Sequence, residues 1–150
     1  QRKRYFGRFD EALDKCMRGP QWLKDHRIAD LVAHAIHYRD KKQYDLIAYC
    51  IMPNHVHMVF SLEKVGRRGS SPYKVTEILE NLKWYTAKEA NKILGRKGAF
   101  WQHESYDHVV RGAGELKRIV AYVLNNPVKA GLAKSWGEWR WSYVHRDVVC

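Results

Sequence analysis

His55 and His57 stand one residue apart in the run Tyr49-Cys50-Ile51-Met52-Pro53-Asn54-His55-Val56-His57-Met58-Val59-Phe60. The run reads as a short strand, a Pro-Asn turn and a second strand. Side chains alternate between the faces of a strand, so the two imidazoles point one way while Val56, Met58 and Phe60 point the other. A neutral imidazole binds a divalent metal through a ring nitrogen, and a pair of them is the start of a metal site. The plain alternative is two histidines on the edge of a sheet, and the spacing alone leaves both readings open.

A metal enzyme needs a third ligand and a reacting group, and the last long helix offers both. That helix is expected over Glu115–Asn126, with Leu116, Ile119, Val120, Val123 and Leu124 as its buried stripe and Pro127 as its end. Arg118, Tyr122 and Asn126 recur at intervals of four and form one ladder along the flank of that stripe. A tyrosine there keeps its ring against the core edge and its hydroxyl in a cleft. Asn126 brings an amide oxygen, a hard ligand suited to Mg or Mn. A phenol, with an ordinary pKa of about 10, is a weak nucleophile near neutral pH. Attack on a phosphodiester therefore needs a cation held by His55, His57 and Asn126, with Arg118 favouring the phenolate or holding a phosphate. A half-buried helix tyrosine and an asparagine at a helix end are the bland readings of the same residues.

The remaining elements must position these groups. A helix is expected over Trp22–Arg39, with Ile28, Leu31, Val32, Ala35 and Ile36 at helical spacing, and a short one over Asp10–Met17. Tyr44–Ile51 and His55–Leu62 form the hairpin, and Glu63–Pro72 is a basic, Gly-rich loop. The longest helix, Tyr73–Leu94, has the stripe Val75, Ile78, Leu79, Leu82, Thr86, Ala90 and Ile93, with Trp84 on its opposite, basic face. Phe100–Arg111 leads into a strand, and the tail with Trp136, Trp139 and Trp141 packs over the core.

A length of 150 residues fits one domain, and 27 basic against 16 acidic side chains, net +11, point to a polyanion such as nucleic acid. No apolar run is long enough to span a bilayer, and three widely spaced cysteines without a C-x-x-C pair fit a cytoplasmic location better than a disulfide framework.

Met52-Pro53-Asn54-His55-Val56-His57, followed by Trp101-Gln102, Tyr106-Asp107-His108 and Tyr122-Val123-Leu124-Asn125-Asn126-Pro127-Val128-Lys129-Ala130-Gly131-Leu132, resembles the single-tyrosine HUH transposases. The likeness is greatest to their REP-associated tyrosine transposase branch and runs from Tyr44 to Trp141. The combination of the two outer motifs is far more specific than either part.

The resemblance implies an α+β ferredoxin-like sandwich, the HUH endonuclease fold, with an antiparallel sheet covered by helices and the His-x-His strand central. It implies cutting and rejoining of hairpin-bearing single-stranded DNA through a 5′-phosphotyrosine link, without ATP. It makes Tyr122 the nucleophile and His55 and His57 ligands of Mg or Mn, with Asn126 third where insertion-sequence relatives often carry Gln. Tyr85, outside the motif, is the rival nucleophile. A monomer is expected, as in the REP-associated branch, with the dimer of insertion-sequence relatives as the alternative. Arg67, Arg68, Lys83, Arg96, Lys97 and Arg111 are candidate backbone contacts beside Arg118, Trp84 and Trp101 candidate stacking residues, and His103 and His108 DNA contacts or buttresses. Relatives begin with a strand before the first helix. None is expected before Asp10 unless Arg4–Phe9 is its remnant, so the single domain over 1–150 is expected to lack an N-terminal strand. Two rival readings are a non-catalytic hairpin-binding module, which would bind DNA in EDTA without an adduct, and a replication-initiator-type nickase.

Overall fold

The computed structural model describes residues 3–9, 20–62, 73–102 and 105–148, with Tyr106 described in its backbone alone. The expected Asp10–Met17 helix, the loop holding Arg67 and Arg68, and His103 lie outside them.

Strands β2 (Asp45–Met52) and β3 (His55–Ser61) form the expected hairpin. Both are buried along nearly their whole length because both of their faces are covered. They sit inside a five-stranded antiparallel sheet of order β4-β1-β3-β2-β5, where β1 is Arg4–Phe9, β4 is Tyr106–Val110 and β5 is Ser142–Val144. Three helices cover the sheet, which makes the architecture α+β.

Period-two alternation divides the core. Val56, Met58 and Phe60 of β3 pack with α1 (His26–Arg39) and α2 (Val75–Leu94), through Ile28, Val32 and Ile36 of the first and Ile78, Leu79 and Leu82 of the second. Val59 of β3 and Phe6 of β1 lie on the other face, under Val120, Val123 and Leu124 of α3 (Gly112–Lys129). In β2 the register against β3 slips between Leu46 and Ala48, leaving Ile47 as an extra residue. The bulge reverses the phase of the strand. Leu46, Tyr49 and Ile51 therefore share the α1–α2 core, while Ile47, Ala48, Cys50 and Met52 share the α3 core.

Four expectations need correction. The N-terminal strand is present: Arg4–Phe9 pairs with β3 on one side and β4 on the other, in an inner position of the sheet. Its alternation is masked by Arg4, Arg8 and Gly7. Gly7 lets the strand lie close under α2: a Cβ there would lie 3.2 Å from Leu79 Cδ2, which would have to give way. The helix expected from Trp22 starts at His26, after a 3₁₀ turn over Trp22–Lys24, because the Asp25 carboxylate accepts from the Arg27 backbone N–H at 2.9 Å and caps it there. α3 does not stop before Pro127 but runs to Lys129. Pro127 is buried, and the carbonyls of Asn126 and Pro127 accept from Ala130 and Leu132 at 3.0 and 2.8 Å, so packing and these bonds outweigh the local preference. Ile93, expected in the α2 stripe, is exposed at the helix end.

The tail ties the sheet to the first helix. Trp139 Nε1 donates to the Ile51 carbonyl at 3.0 Å, and Trp141 Nε1 donates to Asp30 of α1 at 3.0 Å. Phe60 is the central anchor of the α1–α2 core, fully buried against Tyr44 and Tyr5. Phe60→Ala should cost about 3–5 kcal/mol in urea unfolding. A loss below about 1 kcal/mol would show that this ring is not what the two helices close on.

Candidate active site

β3 carries His55 and His57 onto the α3 face, where their rings lie 4.7 Å apart. Asn54 in the preceding turn places Oδ1 2.8 Å from His55 Nδ1. The amide oxygen can only accept, so the proton sits on Nδ1 and the lone pair on Nε2. His55 Nε2 and both ring nitrogens of His57 are buried with no hydrogen-bond partner among the described residues. Burial is the main cause that drives both pKa values down, His55 to about 4 and His57 well below its ordinary 6.5. The Arg8 charge adds to the effect on both, and for His57 the neighbouring His55 adds more than Arg8. Neutral imidazoles with unspent lone pairs are the form a metal ion requires.

The walls come from three elements. From β1, Phe6 stacks on His57 with ring centroids 5.4 Å apart, and Arg8 stands opposite His57 in the register. From β2, Cys50 lies opposite His57 on the other side, and burial pushes its thiol up to about 12, so it stays protonated near neutral pH. From α3, Tyr122 brings its ring centroid 5.5 Å from that of His57 and 6.4 Å from that of Phe6, while remaining 46% exposed. Asn126 lies one turn further on and is partly buried, and Arg118 lies one turn earlier and is exposed. Among the described residues no third His, Cys, Asp or Glu joins the pair.

α3 is held at its start by Glu115, whose Oε1 accepts from the Arg111 backbone N–H at 3.1 Å and lies 2.7 Å from His108 Nε2 on β4. The His108 bond, then that of Arg111, holds the Glu115 carboxyl below its ordinary range. His108 thus serves as a buttress.

The sequence-derived DNA contacts separate in space. Arg118 shares α3 with Tyr122. Lys83 and Trp84 lie on α2, beyond the opposite face of the sheet, as does Tyr85, the rival nucleophile. Arg96 spends its guanidinium inside the protein: it lies 4.0 Å from the Trp22 ring centroid and donates to Asn91 Oδ1 and the Ala99 carbonyl. Trp101 donates to Thr86 Oγ1 at 3.1 Å and packs edge-on against Phe9, so it too is a structural residue. Lys97 and Arg111 are exposed. Phe6 and Arg8 enter the site only through β1, and their alternation against Tyr5 and Phe9 is the sequence signal that marks them.

Because the unfolded histidines keep their ordinary 6.5 while folded His55 titrates at about 4, the unfolded chain takes up protons first as pH falls. Stability contributed by the neutral pair is full above pH 6.5 and is lost toward pH 4. Denaturant midpoints measured with a chelator present should fall across that window, and less steeply in His57→Phe. Equal slopes in the two proteins would refute the buried neutral pair.

Residues 18–126 match the family described as Transposase IS200 like. A Haemophilus influenzae protein named "Putative REP-associated tyrosine transposase" is 28% identical over 108 residues, 70% of this chain and 61% of that protein. The REP-associated tyrosine transposase of Escherichia coli K12 is 26% identical over 120 residues, 79% of this chain and 66% of that one. The chain therefore spans less than two thirds of the length of either relative. A solved structure of a REP-associated tyrosine transposase bound to a REP hairpin superposes with a TM-score of 0.68 at 23% identity, covering 97% of this chain and 78% of the other, and so shares its fold. With a match that extends through β1's neighbours in the sheet, the His-x-His strand and the tyrosine helix as far as Asn126, the chain belongs to the IS200-like transposase family.

Proposed function

We propose that this transposase cleaves and transfers hairpin-bearing single-stranded DNA, with Tyr122 as nucleophile and His55, His57 and Asn126 as ligands of Mg or Mn. The observation that carries the reading is the approach of the Tyr122 ring to within 5.5 Å of His57, a residue whose two ring nitrogens are buried without a partner. Buried unpaired nitrogens are costly, and a bound cation removes that cost. The fixed tautomer of His55 and the amide oxygen of Asn126 suit the same ion. When bound, the cation supplies Lewis-acid polarisation of a phosphate oxygen.

The chain's own groups do the rest. The Tyr122 oxygen gives up its proton and attacks phosphorus, the bond from phosphorus to the 3′ oxygen breaks, and that oxygen takes up a proton as it leaves, so the step is neutral in protons and frees a 3′-hydroxyl. The product is a 5′-phosphotyrosine, and attack by a 3′-hydroxyl reverses the step and rejoins the strand without ATP. Arg118 and Arg8 place positive charge near the phosphate, where negative charge builds in the transition state. Phe6 fixes the His57 ring and limits the travel of Tyr122. The monomer reading rests on Tyr122 approaching His57 of its own chain. The hairpin substrate is supported by the hairpin bound to the structural relative.

Incubation with a hairpin-bearing oligonucleotide and Mn should give a covalent protein–DNA band on a denaturing gel. Tyr122→Phe should lower its rate of formation by at least about a thousandfold. EDTA should abolish the band while DNA binding persists. An adduct that survives Tyr122→Phe would move the nucleophile elsewhere, and binding without any adduct in the parent protein would favour the non-catalytic hairpin module.

A further inference from the structure

The side of the molecule away from the histidines holds a groove that the proposed cleavage chemistry leaves unused. It runs between α1 and α2, encloses about 390 Å³ and is lined by Leu31, His34, Ala35, Tyr38, Arg39 and Tyr85. Arg39 is only 8% exposed. Its Nε donates to Asn81 Oδ1 and its Nη1 to the Ala35 carbonyl, each at 3.0 Å, and its guanidinium carbon lies 5.0 Å from the Tyr85 ring centroid. Among the described residues no carboxylate pairs with it, and its Nη2 donates to no protein atom. A cation this deeply placed without an anion is costly.

The surroundings are aromatic and basic. Tyr38, 67% exposed, has Lys42 Nζ 3.9 Å from its ring centroid, and Trp84, 63% exposed, has Lys88 Nζ at 5.2 Å. Three rings on this outer surface thus each carry a cation, and no carboxylate lines the groove. Flat π faces interleaved with positive charge suit a nucleic-acid strand, whose bases stack and whose phosphates need counter-charge.

We propose that the α1–α2 groove is a second single-stranded DNA subsite, which takes an unpaired base between Tyr38 and Tyr85 and offers Arg39 to its phosphate. The proposal rests on the DNA reading above. It concerns a different segment of the strand, because α1 and α2 lie on the opposite face of the sheet from Tyr122 and the histidines.

Fluorescence anisotropy in the Tyr122→Phe background, with EDTA to exclude cleavage, tests it. A labelled hairpin oligonucleotide is compared with the same hairpin extended by an oligothymidine tail on the 5′ or the 3′ side. One of the tails should tighten binding about tenfold or more. Tyr38→Ala and Tyr85→Ala should each remove most of that gain, and Tyr38→Phe, which keeps the stacking face, should retain it. Photocrosslinking of a tail carrying 5-iodouracil should mark Tyr38 or Tyr85. A tail effect untouched by the alanine variants overturns the proposal, as does crosslinking confined to other residues. Equal weakening of tailed and untailed binding, or self-association of the parent that Tyr38→Ala abolishes, overturns it too. A parent that binds tailed and untailed hairpins equally defeats the groove alone, whereas one that binds neither defeats the DNA reading as well.

Discussion

The alternation of side chains along β3 is the constraint on which the rest of this molecule depends. The strand is inner in the sheet and covered on both faces, so each residue has one of two environments and no third choice. Val56, Met58 and Phe60 must enter the core under α1 and α2. The same periodicity commits His55 and His57 to the face under α3. A slip of one residue would exchange the two sets, putting imidazoles into an apolar core and apolar side chains into the site. The hydrophobic pattern that stabilises the fold therefore also aims the candidate ligands.

Burial then sets their chemistry. Removal from water disfavours the imidazolium, and Arg8 across the strand pair disfavours it further, so both rings remain neutral where a free histidine would begin to protonate. The cost is visible as unpaired nitrogens. Such a residue pair is poor material for a core and good material for a cation site, which is why burial argues for function here. Tyr122 is treated differently. Its helix covers the same face, yet nearly half of the residue stays open to solvent.

The two faces of the sheet have unequal tasks. The α1–α2 side holds the larger apolar core and takes Trp101 and Trp141 into its structure. The α3 side holds the smaller apolar core and carries the ring contacts of the histidines, Phe6 and Tyr122. Basic charge follows neither face alone. Arg96 is consumed by Trp22, Asn91 and a backbone carbonyl, whereas Arg118 is left open beside Tyr122. Net charge is thus a guide to the kind of partner and a poor guide to which cations meet it.

The residue order alone determined the hairpin, the shared direction of His55 and His57, the ladder of Arg118, Tyr122 and Asn126, and the apolar stripes of α1 and α2. All of these follow from periods of 2 or 3.6 residues over short stretches, which local geometry dictates. Tertiary structure decided the remainder. It made Arg4–Phe9 an inner strand, because pairing on two sides outweighs a weak and charged local pattern. It carried α3 through Pro127, because burial outweighs a backbone preference. It inserted Ile47 as a bulge, which no periodic reading of a continuous apolar run reveals. Above all it brought Phe6, Arg8, His57 and Tyr122 together from three separate elements, since distances between elements depend on packing that no single stretch of sequence contains.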